Sequence, residues 1–453
     1  MNIKVVCRRR ISRFLITGVI GLAASLTVQG QGSPLSLNQA GEVLPIETTL
    51  TAQERAMVAW VDERKQSIIT ELSAHVDINT GTANIEGIDR YRTVLEQELA
   101  ALGFTTETHS SVPIDVLTCE GGQVLVADHL TGVIRGGDGP RVLINGHMDT
   151  VFSATDEFQS LQISDDGVLK GPGVADMKGG IVVMLNALRA LSDQGLLEGS
   201  NLTVLFNSDE EIGSLGSRSL IESLAGKHDI GLVFEGTYGS RVTRARKGLG
   251  QARLKVTGRE SHAGGAHQDG VSANLELAHK IIEIEGLTDY AKKLTVNTGV
   301  MNGGEKRNTV PGCADAYVDM RFPAEQGGEY LKAEIERIAN NTHTSHPQYP
   351  GLPRTESWAV LHRPSKPQHA EVDKLISEAM GISILVGEPI TGTRYSGGGT
   401  DGSIAQGVGL PTMDSLGLDG TGAHSSREAS SINSLIERTK LAAILLARQL
   451  HEK

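Results

Sequence analysis

The sequence predicts an α/β fold in which a mostly parallel sheet carries helices on both faces and a smaller α+β domain is inserted. Strand-like and helix-like segments alternate along the first half of the chain, which is typical of a parallel sheet covered on both sides. The chain contains 54 glycines but only 4% aromatic residues, which favours many tight turns between strands and helices. After Lys247 the order becomes β-α-β-β-α-β, the ferredoxin-like layout of a small antiparallel sheet.

The length and charge of the chain limit the class of protein. With 453 residues, of which 39% are hydrophobic and 21% charged, the chain has ordinary globular composition and suits two domains. Its formal net charge of −12 argues against a nucleic-acid partner, because nucleic acids bind basic surfaces.

Residues 1–30 have the layout of a secretory signal peptide. Arginines at 8–10 precede the apolar stretch Phe14–Val28, and Gly30 offers a cleavage point. We therefore expect an exported protein, periplasmic or secreted, with an uncleaved membrane anchor as the alternative. Beyond this segment only Cys119 and Cys313 remain. Two cysteines are too few for a disulfide framework, and the sequence leaves open whether they pair.

Changes in pattern divide the rest of the chain. Residues 31–50 are predicted to be a linker, because this stretch is polar, contains prolines and lacks periodicity. The larger domain is predicted in two parts, 51–247 and 363–453, which flank the inserted domain at 248–362.

The elements of the larger domain follow from their apolar spacing. Helical spacing indicates helices, and short apolar runs bounded by turn residues indicate buried strands. The predicted helices are Gln53–His75, Ile88–Leu102, Met177–Leu191, Leu215–Leu224, Ala370–Met380 and Ile432–His451. The predicted strands are Thr105–His109, Gln123–Asp128, Leu130–Arg135, Arg141–Ile144, Leu202–Asn207, Ile230–Glu235 and Leu410–Asp414.

The inserted domain has a different texture. Its first strand alternates apolar and polar residues, as a half-exposed strand does, and its first helix is amphipathic. In order, the predicted elements are Gly250–Gly258, Val271–Glu285, Lys293–Val300, Cys313–Phe322, Tyr330–Asn340 and Glu356–Leu361.

Polar residues follow the strand that begins at Arg141. The strand breaks at Asn145-Gly146 and then presents His147 and Asp149, which point to the same side because they are two residues apart. Asp176 follows a glycine-rich turn that opens a helix. Open α/β sheets bind their ligands at the carboxyl ends of the strands, so these residues predict a site there.

Further acids and one histidine extend this set. Glu210 and Glu211 follow one predicted strand, Glu235 ends another, and His424 lies in a Gly-Ala-His-Ser-Ser loop. Two histidines and several carboxylates suit zinc, cobalt or manganese rather than a thiolate site. The carboxylates exceed what one tetrahedral ion needs, so two divalent ions that share a bridging carboxylate are the simplest arrangement.

Six motifs, in order along the chain, resemble those of a known family. They are Gly-His-Met-Asp-Thr-Val (146–151), Gly-Val-Ala-Asp-Met-Lys-Gly-Gly (173–180), Asp-Glu-Glu-Ile-Gly-Ser (209–214), Phe-Glu-Gly (234–236), Ser-His-Ala-Gly (261–264) and Gly-Ala-His-Ser (422–425). The chain resembles the co-catalytic zinc exopeptidases and deacylases, which include bacterial glutamate carboxypeptidase, acetylornithine deacetylase and succinyl-diaminopimelate desuccinylase. The resemblance implies a zinc-exopeptidase fold with an inserted dimerisation or lid domain.

The resemblance also implies roles for the polar residues. One ion would be bound by His147 with Glu235 and the other by His424 with Glu211, and Asp176 would bridge both. Asp149 would orient His147. Glu210 would be the general base that moves a proton from the attacking water to the leaving amine.

Four further residues are implied to act on the substrate. His262 resembles the histidine that reaches the partner subunit's active site and stabilises the tetrahedral oxyanion, which implies a homodimer formed through the inserted domain. Asn308 and Arg363 resemble residues that bind the substrate carboxylate. Gly399 would offer a backbone N–H at a helix start.

The function expected from this resemblance is metal-dependent hydrolysis of an amide bond next to a free carboxylate. A glutamate-carboxypeptidase-like exopeptidase is the first choice, and an N-acyl amino acid deacylase of the same family is the alternative. The substrate would be a small peptide or an N-acyl amino acid. A non-catalytic binding protein on the same scaffold would have lost a ligand or Glu210, and the sequence retains all of them.

Overall fold

The computed structural model describes residues 41–115 and 117–451. The predicted signal peptide and residues 31–40 of the predicted linker lie outside these residues. The α-helices in the described part are α1 (Ala52–Glu63), α2 (Lys65–Val76), α3 (Ile85–Ala101), α4 (Lys178–Asp193), α5 (Arg218–Ala225), α6 (Ala273–Glu285), α7 (Glu325–Asn340), α8 (Ala370–Val386), α9 (Asp401–Gly407) and α10 (Ile432–His451).

The first nine strands belong to the N-terminal half of the chain. They are β1 (Thr105–His109), β2 (Ile114–Asp115), β3 (Gln123–Val124), β4 (His129–Ile134), β5 (Arg141–His147), β6 (Gln162–Ile163), β7 (Val168–Lys170), β8 (Asn201–Asn207) and β9 (Ile230–Val233). The later strands are β10 (Arg241–Arg246), β11 (Gly248–Thr257), β12 (Ser261–His262), β13 (Thr295–Gly303), β14 (Thr309–Val310), β15 (Cys313–Phe322), β16 (Arg354–Arg363), β17 (Gly392–Ser396), β18 (Thr412–Met413) and β19 (Ala429–Ser431).

The central sheet has six strands in the order β1-β4-β8-β5-β9-β18. Strands β8, β5, β9 and β18 are parallel to one another, whereas β4 runs antiparallel to both β8 and β1. The predicted mostly parallel sheet is therefore confirmed. The carboxyl ends of β8, β5 and β9 meet at one edge.

The central strands bury side chains on both faces of the sheet. In β5, Val142 and Ile144 belong to the core that α4, α8 and α10 share, whereas Leu143 belongs to a second core with α5 and α9. A strand that buries both faces reads as a continuous apolar run, which is what residues 141–144 show. Each such side chain contributes about 1.5–3 kcal/mol when fully buried.

Helix α4 approaches the end of β9 closely because of one glycine. A Cβ at Gly180 would lie 1.9 Å from the carbonyl oxygen of Phe234, so only glycine fits at this position. The close approach brings the turn before α4, which carries Asp176, next to Glu235 after β9. Helix packing thereby positions two of the predicted metal ligands.

A second, antiparallel sheet has the order β13-β15-β11-β16. Together with α6 and α7 it follows the predicted β-α-β-β-α-β order. Leu254 and Val256 of β11 pack in a separate core with both helices, whereas the guanidinium of Arg253 stacks on Tyr317 and Trp358. One face of this sheet therefore carries the helices. The domain boundaries at 248 and 362 stay a prediction.

The disulfide that the sequence left open is present between Cys119 and Cys313. It links the loop between β2 and β3 to the first residue of β15, which are 194 residues apart in sequence. A cross-link over such a distance restricts the unfolded chain and stabilises a fold by roughly 2–5 kcal/mol.

Several predicted elements were wrong in detail. The single helix predicted from Gln53 to His75 is two helices, because Arg64 leaves helical geometry with φ −105° and ψ 9°. The strand predicted to reach Asp128 ends at Val124. The second half of the predicted linker is packed: Val43 is buried, and the Ile46 N–H donates to the Ser377 carbonyl of α8.

Two further features complete the described part of the chain. Strands β10 and β17 form a separate parallel pair that the sequence did not predict. No helix in residues 41–115 and 117–451 is long and apolar enough to cross a membrane.

Candidate metal centre

The ends of neighbouring parallel strands bring the predicted ligands together. His147 is the last residue of β5, Glu235 follows β9, and Glu210 and Glu211 lie in a short 3₁₀ turn after β8. Asp176 lies just before α4, and its peptide bond to Met177 is cis.

These side chains form two groups. In the first, His147 Nε2 lies 3.3 Å from Asp176 Oδ1 and 3.6 Å from Glu235 Oε1. In the second, His424 Nε2 lies 3.2 Å from Asp176 Oδ2 and 3.1 Å from Glu211 Oε2. The candidate ligand atoms within each group all lie within 4.8 Å of one another. Asp176 uses a different oxygen in each group, as a bridging carboxylate does.

The chemistry of these atoms fits two divalent cations. His147 Nε2 and Glu211 Oε1 are buried and have no hydrogen-bond partner in the described chain. Buried polar atoms are normally paired, because an unpaired one costs roughly 1–3 kcal/mol. An imidazole nitrogen and a carboxylate oxygen are ligand types that zinc accepts.

Asp149 connects the first group to the turn that carries the acids. Its Oδ1 lies 3.3 Å from His147 Nδ1 and accepts the Glu210 N–H at 3.1 Å. Its Oδ2 accepts the Glu211 N–H at 3.2 Å and the Thr82 hydroxyl at 2.8 Å. Asp149 thus fixes the position of His147 and of both glutamates at once.

Sequence reasoning missed Glu428. This buried carboxylate accepts the backbone N–H groups of Gly173, Ala175 and Asp176 at 3.2, 2.8 and 2.9 Å. It holds the turn that presents Asp176 and follows His424 by four residues, so it joins the two loops of the second group. An acid shortly after a histidine in a loop was the only signal in the sequence.

The electrostatics of the site favour bound cations. Burial raises the pKa of Glu210 to about 8, with Asp401 and Glu211 adding to it. Burial and Asp176 also raise the pKa of Glu211 and of Glu235. Contacts with Asp176 and Glu211 raise the pKa of His424 to about 11. Negative charge therefore exceeds positive charge here, and added cations would relieve the repulsion.

Arg363 contacts the predicted base. Its Nη2 lies 2.6 Å from Glu210 Oε1, and its Nε is buried without a hydrogen-bond partner in the described chain. Gly399 lies against it, because a Cβ there would be 2.6 Å from Arg363 Cδ. The helix that follows Gly399, α9, has only seven residues.

Arg363 and Gly399 both line a cavity of about 390 Å³ beside the two candidate metal-binding groups. Ligand sites usually measure ~300–1,000 Å³, so this one suits a small substrate. Four arginines contribute to its wall: Arg246, Arg321, Arg363 and Arg394. A larger cavity of about 650 Å³ beside the disulfide contains none of the predicted metal ligands.

The structure does not bring His262 and Asn308 to this cavity. His262 is exposed on β12, and its Nδ1 accepts the N–H groups of Gly264 and Gly265. Asn308 is also exposed and lies beside it, since the Asn308 carbonyl accepts the Ala263 N–H at 2.9 Å. Within the described chain these two residues form a separate patch of the second sheet's domain.

Comparisons with known proteins agree with this geometry. The model of Peptidase family M20/M25/M40 matches residues 143–448. The chain is 32% identical over 405 residues to carboxypeptidase G2 of Pseudomonas sp. (strain RS-16), covering 88% of this chain and 93% of that protein. It is 29% identical to acetylornithine deacetylase of Myxococcus xanthus over 55% of this chain and 67% of that protein.

The fold has close counterparts among solved structures. A tripeptidase from Staphylococcus aureus superposes with a TM-score of 0.64 at 23% identity, covering 85% of this chain and 99% of that chain. The family model and the carboxypeptidase relative both span most of the chain. The chain therefore belongs to peptidase family M20/M25/M40, whose members are metal-dependent peptidases and amidohydrolases.

Proposed function

We propose that the protein hydrolyses the amide bond between an acyl or peptidyl group and an amino acid with a free carboxylate, as a glutamate-carboxypeptidase-like exopeptidase. One observation carries the proposal: the buried carboxylate of Glu210 faces the same arginine-lined cavity as the two metal-binding groups. The 32% identity to a carboxypeptidase over most of both chains supports a peptidase.

Each group would hold one divalent ion, with zinc the first choice and cobalt or manganese possible. His147, Asp176 and Glu235 would bind the first ion, and Asp176, Glu211 and His424 the second. When bound, such ions supply Lewis acidity that polarises the scissile carbonyl and makes water a stronger acid.

Glu210 is the proton carrier of the proposal. Burial raises its pKa above the ordinary value, which makes its carboxylate a stronger base than an exposed one. It would take a proton from the attacking water and deliver it to the leaving amine. The ion pair with Arg363 holds its oxygen in place at 2.6 Å, and Asp149 fixes its backbone N–H.

Arg363 and Gly399 on the wall, and Asn308 from a second subunit, would bind the free carboxylate of the substrate. A bidentate guanidinium suits that task. An N-acyl amino acid deacylase would use the same residues. The similarity to a relative named acetylornithine deacetylase supports this alternative. Hydrolysis of a panel of peptidyl and N-acyl amino acids would separate them.

We also propose a homodimer formed through the domain of the second sheet. His262 is exposed and does not line the cavity of its own chain. Strand β13 is an edge strand, and nearby apolar side chains are exposed, with Ile282 at 72% and Met301 at 61%. An edge strand with such neighbours is suited to pairing with a second copy.

Complementation tests this assembly. Dimers of His262→Ala and of Glu210→Ala should each be nearly inactive. Co-expressed, they should recover about a quarter of normal activity, because half of the dimers then contain one complete site. No recovery in verified mixed dimers would mean that His262 does not act across subunits.

Export to an oxidising compartment is part of the proposal. The composition of residues 1–30 supports it, and so does the disulfide between Cys119 and Cys313, since disulfides persist mainly outside the cytosol. Expression of the full chain with its N-terminus intact should yield a mature protein that lacks the first thirty or so residues. An intact N-terminus on the exported protein would favour the anchor.

The function is tested by Glu210→Gln. Loss of the proton carrier should lower kcat by ~10²–10⁴-fold, while the metal content stays at the wild-type value, because Glu210 is not among the predicted ligands. Loss of metal would mean that base and ligand are misassigned. A wild-type protein that binds less than one ion per chain and shows no chelator-sensitive hydrolysis would instead be a binding protein on this scaffold.

A further inference from the structure

Three of the four arginines that line the cavity are neutralised by the chain itself. Arg363 pairs with Glu210 at 2.6 Å. Arg321 pairs with Asp319 at 2.7 Å, and Arg246 pairs with Asp414 at 2.9 Å. Each of these three guanidinium groups therefore already has a carboxylate partner in the protein, and of the three only Arg363 keeps a buried Nε without a hydrogen-bond partner in the described chain.

Arg394 differs from the other three. No carboxylate of the described chain lies within 4.0 Å of its guanidinium nitrogens. Its Nε donates to the Thr243 hydroxyl at 3.1 Å, and its guanidinium carbon lies 4.8 Å from the centre of the Tyr238 ring. Its two Nη atoms have no hydrogen-bond partner among the described residues. The planar group is fixed on one side and free to bind on the other.

The surroundings of Arg394 compensate its charge only in part, through the more distant Asp414 and Asp419. Burial and the nearby Arg246 lower its pKa, so the cation is less favourable here than in water. A half-buried charge without a partner is costly, and an anionic ligand would remove that cost. A guanidinium with two free Nη groups matches the two oxygens of a carboxylate.

Arg394 also lies close to the reacting groups. Tyr238, on which it stacks, follows Glu235 by three residues, and both line the cavity with Asp176. An anion bound by Arg394 would therefore belong to the same small molecule that reaches the metal groups.

We propose that Arg394 binds a second carboxylate of the substrate, distinct from the one assigned to Arg363 and Asn308. The cavity thereby selects amino acids with an acidic side chain. This inference rests on the proposed function, and it names the residue that gives the glutamate preference.

Kinetics on a matched pair of substrates tests it. An N-acyl-L-glutamate and the corresponding N-acyl-L-glutamine differ only in the charge of the side chain. The wild type should prefer the glutamate compound. Arg394→Gln should lower kcat/KM for that compound by about 10- to 100-fold, since a hydrogen bond to a charged group contributes ~1.5–3 kcal/mol. The glutamine compound should change by less than about twofold, and Arg394→Lys should restore part of the preference.

Arg241→Gln is the matched control. Arg241 is the first residue of β10, two residues before the Thr243 that pairs with Arg394. It is exposed and does not line the cavity, so its variant should behave as the wild type. Equal losses on both substrates, or a wild type that does not distinguish them, would overturn the inference while leaving the proposed hydrolase intact.

Binding of free L-glutamate and L-glutamine distinguishes failure of the proposed hydrolase function from failure of the role of Arg394. If the metal-loaded wild type hydrolyses neither compound, the proposed function fails. Calorimetric titration with L-glutamate and L-glutamine then decides the role of Arg394. Tighter binding of glutamate that Arg394→Gln abolishes supports the role, and equal binding of both amino acids rejects it.

Discussion

The two candidate metal-binding groups share Asp176 but differ in how the chain holds their histidines. The His147 side chain is 1% exposed, lies at the end of a central strand, and has Asp149 at 3.3 Å from its Nδ1. The His424 side chain is 56% exposed, lies in a loop, and has a left-handed backbone with φ +61°. The described chain provides no comparable carboxylate at its other ring nitrogen.

The difference predicts unequal affinity for two ions that have similar ligands. His147 Nδ1 also lies 3.0 Å from the main-chain carbonyl oxygen of Asp149. A histidine whose second nitrogen is held in this way is oriented before the metal arrives, so less ordering entropy is lost on binding. The group with His147 should therefore bind its ion more tightly. The more exposed group with His424 should exchange its ion readily.

Removing the shared ligand should have the largest effect. Asp176→Asn weakens both groups, so we expect the affinity for each ion to fall by more than about 100-fold, with activity lost in parallel. Elemental analysis after dialysis measures the ions per chain. The control Asp193→Asn, at the exposed C-terminal end of α4, the helix that follows Asp176, should keep both ions. Retention of two ions by Asp176→Asn would exclude a bridge.

Replacing each of the two histidines separately tests whether the two groups differ in metal affinity. His424→Ala should retain about one ion per chain, held by the buried group, whereas His147→Ala should retain clearly less under the same conditions. Calorimetric titration of the stripped wild type with zinc should show two unequal steps. Equal retention by the two variants would contradict the predicted order of affinities.

Glu428→Gln should have a smaller effect. The amide replaces one accepting oxygen by a donor, so it cannot accept all three N–H groups of the 173–176 turn. Metal affinity should fall by about 10- to 100-fold, as for other residues that orient ligands, while far-ultraviolet circular dichroism stays unchanged. The exposed Glu371→Gln serves as control. A lower melting temperature with normal metal affinity would make Glu428 purely structural.

Acid stability, a property separate from metal affinity, should depend on the buried His75 behind the first group. His75 is buried, its Nδ1 lies 2.9 Å from the Tyr91 hydroxyl, and its carbonyl accepts from Lys178 next to the Asp176 turn. Burial, followed by Lys178 and Arg189, lowers its pKa from 6.5 to about 3. The unfolded chain thus binds a proton that the folded chain does not.

The sign of this effect follows from the lowered pKa. The contribution that neutral, buried His75 makes to the stability of the fold is fully present above pH 6.5. It is lost as the pH falls from 6.5 towards 3. Melting curves should show that His75→Gln loses less stability over this range than the wild type. The same slope in both proteins would assign the acid sensitivity to other groups.

The larger features of the fold could be predicted because they depend on local patterns. The apolar run at 141–144 indicated a strand buried on both faces, and the alternation of elements indicated a parallel sheet. The metal-binding candidates follow strand ends that carry recognisable motifs, so the sequence predicted which residues would meet. Local patterns also misled, as at Arg64, where periodicity continued across a break in the backbone.

Other parts of the site depend on contacts between distant residues. Arg394 contacts Thr243, 151 residues earlier in the sequence, because β17 pairs with β10. Glu428 contacts the turn at 173–176, which lies more than 250 residues earlier. The pairing of Cys119 with Cys313 is of the same kind. The sequence shows the residue types at these positions, but not which of them meet, because that depends on how distant segments pack.

The sequence by itself determined the type of chemistry, because a metal site is encoded by residue types at strand ends. It identified His147, Asp176, Glu211, Glu235 and His424 as one set and Glu210 as the acid beside them. Only the tertiary structure decided how firmly each histidine is held, and which arginine of the cavity is left without a carboxylate partner. Burial and pairing of charges are properties of the packed chain, and they arise when segments distant in sequence come into contact.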